Sequence, residues 1–265
     1  MLIAGGLEAA VVLGMFGLLA GSFTNVVIFR VPEGQSVVKP PSACPSCHAQ
    51  IKPYDNVPVL SWLVLRGRCR ACQAPISARY PTVELLVGLV VALVGWRYGI
   101  SWTAGAEAVM AVGLVALAFI DFDRMLLPRR IVYITLGIVA LLVVAGAAAS
   151  GRWGQLRIAT ISAVVPWALF FAINYIKPHA LGFGDVRLAL LIGFGAGWVG
   201  GAYAFLAFIV ASILGSVVGI TLMLVGRASR KTQVPFGTFL ATGAVISVLA
   251  GAPVVNWYLG MMHAA

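Results

Sequence analysis

The sequence predicts an all-α membrane protein of about eight transmembrane helices, with a cytosolic four-cysteine loop after the first. Three observations predict it. Of 265 residues, 61% are hydrophobic and only 10% charged, where a soluble domain carries about 25% charged residues. The mean hydropathy is +1.01, more apolar surface than a water-soluble chain of this size can bury, so a bilayer is the natural solvent. Lys and Arg gather between alternate apolar runs, as topology signals do.

A spanning helix needs roughly 20 apolar residues. Eight segments qualify: 7–29, 82–98, 102–120, 131–150, 157–176, 186–200, 202–226 and 235–258. The first lacks a basic leader and is followed by Arg30, the charge order of a retained helix with its N-terminus outside rather than of a cleaved signal. The sixth is short and glycine-rich, and glycines interrupt the last two. Of the 18 basic residues, all but Arg97, Arg152 and Arg157 fall in the loops after odd-numbered helices, Arg230 and Lys231 among them. The positive-inside asymmetry predicts cytoplasmic odd loops and both termini outside. The net charge of +10 therefore reads as topology and contact with anionic lipid, not as a nucleic-acid surface. Trp62, Trp96, Trp102, Trp153, Trp198 and Trp257 fall where an aromatic belt is expected, and mid-helix Trp167 reads as packing. Glu8 and Glu107 fall near outer helix ends, where solvation is cheap.

The one long loop, 31–80, holds Cys44-Pro-Ser-Cys47 and Cys69-Arg-Ala-Cys72. Each pair offers two thiolates from a tight turn, and two pairs close the tetrahedral shell that zinc prefers. A cytosolic position keeps the thiols reduced and favours metal over disulfide. Arg66, Arg68 and Arg70 would offset the charge of such a centre. His48 is not needed, because four cysteines fill the shell and leave no open position for catalysis. Iron in the same shell, or free or disulfide-linked cysteines, are the alternatives. No internal repeat is evident.

Only eight residues are acidic, and a carboxylate near the membrane interior is a functional suspect. Asp121 and Asp123 end the third segment in Phe-Ile-Asp-Phe-Asp-Arg, and Asp185 ends Gly182-Phe183-Gly184-Asp185 before the sixth. If those helices are neighbours, Asp121 and Asp185 can share a proton, one activating a water while the other polarises a carbonyl. Gly182 and Gly184 would let backbone approach an extended peptide added as a strand. The plainer readings are an Asp123 that is solvated or paired with Arg124, Arg129 or Arg130, and an Asp185 that caps a helix. His179, in the same loop, reads as solvated.

Taken together, the segments resemble the type IV prepilin peptidase family, whose members combine leader cleavage with N-methylation. The resemblance rests on GSFTNVVIFRVP (Gly21 to Pro32), the paired Cys-x-x-Cys loop, RYPTVELL (Arg79 to Leu86), FIDFDRMLLP (Phe119 to Pro128), GFGDVRL (Gly182 to Leu188) and PFGTFLATG (Pro235 to Gly243). It covers nearly the whole chain, in order. It implies that Asp121 and Asp185 are the catalytic pair, Asp121 rather than Asp123 because Pro128 stands seven residues beyond it. Thr238 departs from the family, which usually has Pro there. The resemblance also implies a bacterial inner-membrane enzyme, prepilin and pseudopilin substrates, a zinc loop and S-adenosylmethionine as methyl donor. The methyl-transfer region would be 1–98 and the peptidase core 99–265. Asn25 reads either as an inter-helix hydrogen bond or as part of the cofactor site. Glu84 reads either as a helix cap or as part of that same site. Two other functions remain open: a peptidase without methyl transfer, and a zinc-stabilised scaffold for pilus or secretion assembly. A transporter is disfavoured, because no charge is expected at the bilayer midplane.

Overall fold

A computed structural model describes the backbone of residues 2–178, 181–227, 229, 232 and 234–264, with side chains over 6–261 of these. His179, Arg230 and Lys231 lie outside the described residues. Among the described residues every regular element is helical and no strand forms. The chain divides into two compact units, Met1–Gly99 and Ile100–Ala265.

In the first unit, α1 (Leu2–Arg30) runs into the loop, where a 3-10 turn (Pro53–Asp55) and a short α2 (Leu60–Val64) precede α3 (Arg79–Tyr98). α1 packs along α3 through glycines, Gly17-x-x-x-Gly21 on one side and Gly88 and Gly95 on the other. A Cβ on Gly21 would stand 2.8 Å from Glu84 Cα, one on Gly17 3.0 Å from Gly88 Cα, and one on Gly95 2.5 Å from the Ala9 oxygen. In lipid, where apolar side chains gain nothing by leaving the solvent, close backbone approach of this kind supplies the attraction. Overpacking it by one methyl costs about 1–3 kcal/mol.

The second unit begins with α4 (Trp102–Arg124), capped by Ser101, whose hydroxyl accepts the Ala104 N–H at 3.1 Å. α4 ends where Met125 turns left-handed, φ 52°. α5 (Arg129–Ser150) follows Pro128, and α6 (Trp153–Ile176) carries Pro166 in its interior. α7 (Phe183–Val199), α8 (Gly201–Leu224), α9 (Phe236–Ala250) and α10 (Ala252–Ala264) complete the unit. α7 is its centre and packs against α4, α5, α6, α8 and α9. Gly197 lets α6 close on it, since a Cβ there would sit 2.7 Å from that of Ser162. α6 and α8 bury little of their length and face outward.

The eight expected spans are not all matched. By length and composition six helices among the described residues can cross a membrane, or seven if α9 and α10, bent by 74° at Gly251, count as one. The sixth segment became α7, only 17 residues long. Its apolar run reflects burial among helices rather than contact with lipid.

In the second unit Trp198 and Glu107 depart from expectation. Trp198, assigned to the belt, is 1% exposed and donates its indole N–H to Thr103 Oγ1 at 3.0 Å, with the Arg152 guanidinium 4.8 Å over its ring. Trp167, read as packing, stacks on Phe171 and keeps part of its ring exposed. Glu107 is only 1% exposed, and neither carboxyl oxygen has a hydrogen-bond partner. It sits on the packed face of α4 with Ala104, Met110 and Ala111, not in the outer interface.

Candidate active site and metal centre

In the loop of the first unit the two cysteine pairs form two matching knuckles. In one, Cys44 N–H donates to the Ala49 oxygen (2.9 Å), His48 N–H to the Cys44 oxygen (2.9 Å) and Ile51 N–H to the Ser42 oxygen (2.9 Å). In the other, Cys69 N–H donates to Ala74 (2.9 Å), Gln73 N–H to Cys69 (3.0 Å) and Ile76 N–H to Gly67 (2.7 Å). Each closes with one antiparallel bridge, Ala43 with Gln50 and Arg68 with Pro75. Each also has a left-handed residue just after its second cysteine, His48 (φ 57°) and Gln73 (φ 60°). CPSCHAQI and CRACQAPI share Cys-x-x-Cys-x-Ala-x-Ile, a short repeat that the sequence reading passed over.

All four Sγ atoms lie within 4.8 Å of one another, and Cys44 Sγ stands 3.8 Å from Cys72 Sγ. Four thiolates about 2.3 Å from a tetrahedral ion lie about 3.8 Å apart, so the set fits a metal. Donation from the Cys47 and then the Ser46 backbone N–H lowers the Cys44 thiol, while the neighbouring sulfurs hold that of Cys72 up, so the four titrate as one set. His48 is outside the cluster. Arg70, beside Cys69, is paired with a carboxylate. It grips Asp55 through Nε and Nη2 at 2.7–3.0 Å and lies over the Tyr54 ring, and its hydrogen bond holds Asp55 below the usual carboxylate range. Trp62 serves the second knuckle rather than a belt. Its ring covers Gly67, where a Cβ would meet it at 2.9 Å, and its N–H reaches the Ile76 oxygen at 3.0 Å.

Asn25 and Glu84 are engaged within the first unit. Asn25 Nδ2 donates to the Tyr80 oxygen at 3.1 Å, joining α1 to α3. Glu84 lies beyond the first turn of α3, so it is not a cap of that helix. Buried, its Oε2 accepts the Val59 N–H at 2.7 Å while Ser22 donates to the same carboxylate. Val59 is held at φ 63°, costly for a β-branched residue, so the bond pins a strained point of the loop to α3.

In the second unit three chain segments interlock. Asp121, one turn before the end of α4, is 5% exposed, and Asp185, in the first turn of α7, is 8% exposed; Asp123 is exposed. Asp121 reaches the start of α9. Its Oδ2 accepts the Thr238 N–H at 2.9 Å, with Thr238 Oγ1 3.4 Å away and the Gly237 N–H also directed at the carboxylate. The Thr238 hydroxyl donates to the Ala118 oxygen at 3.1 Å. A helix N-terminus presents unpaired N–H groups and a positive dipole end, so it is a seat for an anion. Here Asp121 occupies that of α9. Asp185 turns back toward the Gly182 N–H, as a capping box does, but its Oδ1 is buried without a partner. The charge of Asp121 acts on Asp185.

Leu127 is the piece between them. A Cβ on Gly184 would lie 2.6 Å from Leu127 Cβ, and one on Gly237 would lie 2.7 Å from Leu127 Cδ1 and 2.9 Å from Asp121 Oδ2. Gly184 thus lacks a side chain because Leu127 fills its place, while Gly182 remains exposed. Leu127, Gly237 and Thr238 were not anticipated as site residues. The one signal was Thr238, a departure within an otherwise matching segment.

The comparisons with known proteins agree on one group. A family model described as "Bacterial Peptidase A24 N-terminal domain" matches residues 15–98, and one described as "Type IV leader peptidase family" matches residues 108–220. A protein of Stutzerimonas stutzeri named prepilin leader peptidase/N-methyltransferase is 34% identical over 92% of either chain. An Aeromonas hydrophila protein of the same name is 35% identical, again over 92% of each. A Myxococcus xanthus protein so named is 40% identical over 84% of this chain and 66% of its own. No solved structure matches.

Proposed function

The chain belongs to the type IV leader peptidase family and is an enzyme of it, and from that premise we propose that it cuts the leader from prepilins and related pseudopilins and methylates the N-terminus so exposed. The observation that carries the peptidase reading is the convergence of two buried carboxylates, Asp121 and Asp185, at the interlocked ends of α4, α7 and α9. Asp121, seated on N–H donors, is the base; Asp185, with a bare buried oxygen, carries the proton. Asp121 takes a proton from water as the water oxygen bonds to the scissile carbonyl carbon, and Asp185 gives its proton to the carbonyl oxygen. The C–N bond of the resulting diol then breaks, with a proton delivered to the leaving nitrogen. Exposed Gly182 offers backbone to an extended substrate.

The metal reading is zinc, held by Cys44, Cys47, Cys69 and Cys72 in a closed shell whose role is to fold the loop. The charge asymmetry supports an inner-membrane orientation with both termini outside and the cysteine loop and aspartates at the cytoplasmic face. In the methyl-transfer reading, S-adenosylmethionine supplies the methyl group.

The test is cleavage of a purified prepilin by wild type, Asp121→Asn and Asp185→Asn in bilayer discs. Each amide variant is isosteric but cannot exchange the proton, and a loss of about 10²–10⁴-fold is expected from general acid–base catalysis. Wild-type cleavage by either variant, at wild-type thermal stability, would refute the dyad.

A further inference from the structure

Methyl transfer needs a place for its donor, and Asn25 and Glu84 are already engaged: Asn25 bonds Tyr80, and Glu84 bonds Val59 and Ser22. Beside them, wholly within the first unit, lies a cavity of about 360 Å³ between the last turns of α1 and the chain at 37–42. Its volume is in the range of small-molecule sites, about 300–1,000 Å³. Resting on the methyltransferase reading above, we propose that this cavity is the binding site of the sulfonium methyl donor.

The lining chemistry divides as that ligand does. Arg30 stands at one side and, among the described residues, donates through Nη1 to the Ser36 oxygen at 3.0 Å, which leaves the rest of its guanidinium fork for the donor's α-carboxylate. Phe23 and Pro40 supply flat apolar walls for the adenine, and an aromatic face also attracts a sulfonium cation. Ser42 and Asn56 offer hydroxyl and amide groups for the ribose and the base edge. Ser22 lines the cavity and also donates to Glu84, so the carboxylate that pins Val59 also holds one of the lining side chains. Asn25 and Glu84 are on this account positioning residues, not ligands. In the transfer the neutral N-terminal amine attacks the methyl carbon. The new C–N bond forms as the C–S bond breaks, the sulfur leaves as a neutral thioether, and the amine proton passes to solvent.

A bilayer lipid could also offer an anionic group to Arg30, and the experiment separates the two. Full-length protein with its metal is placed in discs of phosphatidylcholine, irradiated with radiolabelled S-adenosylmethionine, digested and mapped. Label is expected on the peptides covering 19–30 and 37–42. Val38→Trp fills the cavity from a residue 76% exposed, and Arg30→Met removes the fork. Each should weaken donor binding by about tenfold or more and slow methylation of a processed pilin, while metal content and thermal unfolding stay at wild-type values. Label elsewhere, or both variants binding like wild type while wild type methylates, overturns the site and leaves the methyltransferase reading standing. Failure of wild type both to bind donor and to methylate overturns that reading and the site together. Loss of label when phosphatidylglycerol replaces phosphatidylcholine gives the cavity to a lipid headgroup and also overturns the proposal.

Discussion

The cysteine loop and the aspartate cluster reach their geometry by opposite routes. The sulfurs of Cys44 and Cys72 meet across 28 positions of chain, in two knuckles each closed by its own backbone hydrogen bonds. Asp121 and Thr238 meet across 117, and only because α4, α7 and α9 pack into the second unit. The first site is written in local spacing, and its four sulfurs fit an ion that would hold the loop together. The second is written in packing. A locally encoded site should fail locally when its ligand is removed. A packing-encoded site should fail when a single methyl is added some way from the chemistry.

The largest effect tests the first half. Apparent zinc-binding energies of small structural sites run to about 10–16 kcal/mol, nearly all of it spent on folding. Chelation, or Cys44→Ser, should therefore release the ion and open residues 36–78 to protease, read by metal analysis and limited digestion. An intact, protected loop without metal would mean that hydrogen bonds alone suffice. The next test addresses the second half. Gly184→Ala puts a methyl 2.6 Å from Leu127 Cβ, a strain of about 1–3 kcal/mol, and leader cleavage should fall although no carboxylate is altered. Adding Leu127→Ala should restore part of what was lost, and strict additivity of the two changes would break the interlock.

Smaller again is Glu84→Gln, which replaces a charge-assisted acceptor by a neutral one. A cost of about 1.5–3 kcal/mol is expected, visible as faster amide exchange at Val59. The smallest effect belongs to Asp55. Its ionised form is favoured in the fold by Arg70, so the contribution is present above the ordinary carboxylate pKa and disappears as pH falls through the lower folded value. Asp55→Asn should remove that acid sensitivity by bringing the low-pH digestion pattern to neutral pH, a small change because Arg70 is half exposed.

The same contrast explains what the sequence made legible. Membrane spans follow from composition, and the metal ligands follow from two tight spacings, because both are local properties. The repeat of Cys-x-x-Cys-x-Ala-x-Ile was equally local and could have been read. Glu107, Trp198 and α7 could not: burial on the inner face of a helix and burial in lipid leave the same apolar signature around a residue. Nor could a sequence show that Gly184 makes room for Leu127 rather than only for substrate, since a glycine records that something is close but not what. Glu84 illustrates a milder form of the difficulty. Its distance from Pro81 suggested a cap, whereas its partners came from Val59 and Ser22, in chain segments that precede α3.

The seating of Asp121 on the first turn of α9 has a practical consequence. On the proposed two-carboxylate chemistry, one route to an inhibitor would be to mimic the diol between the acids. Here a wedge between Phe236 and the end of α4, parting Thr238 from its acceptor, would leave both acids in place and take away the support that orients one of them. An inhibitor of that kind would resemble no peptide.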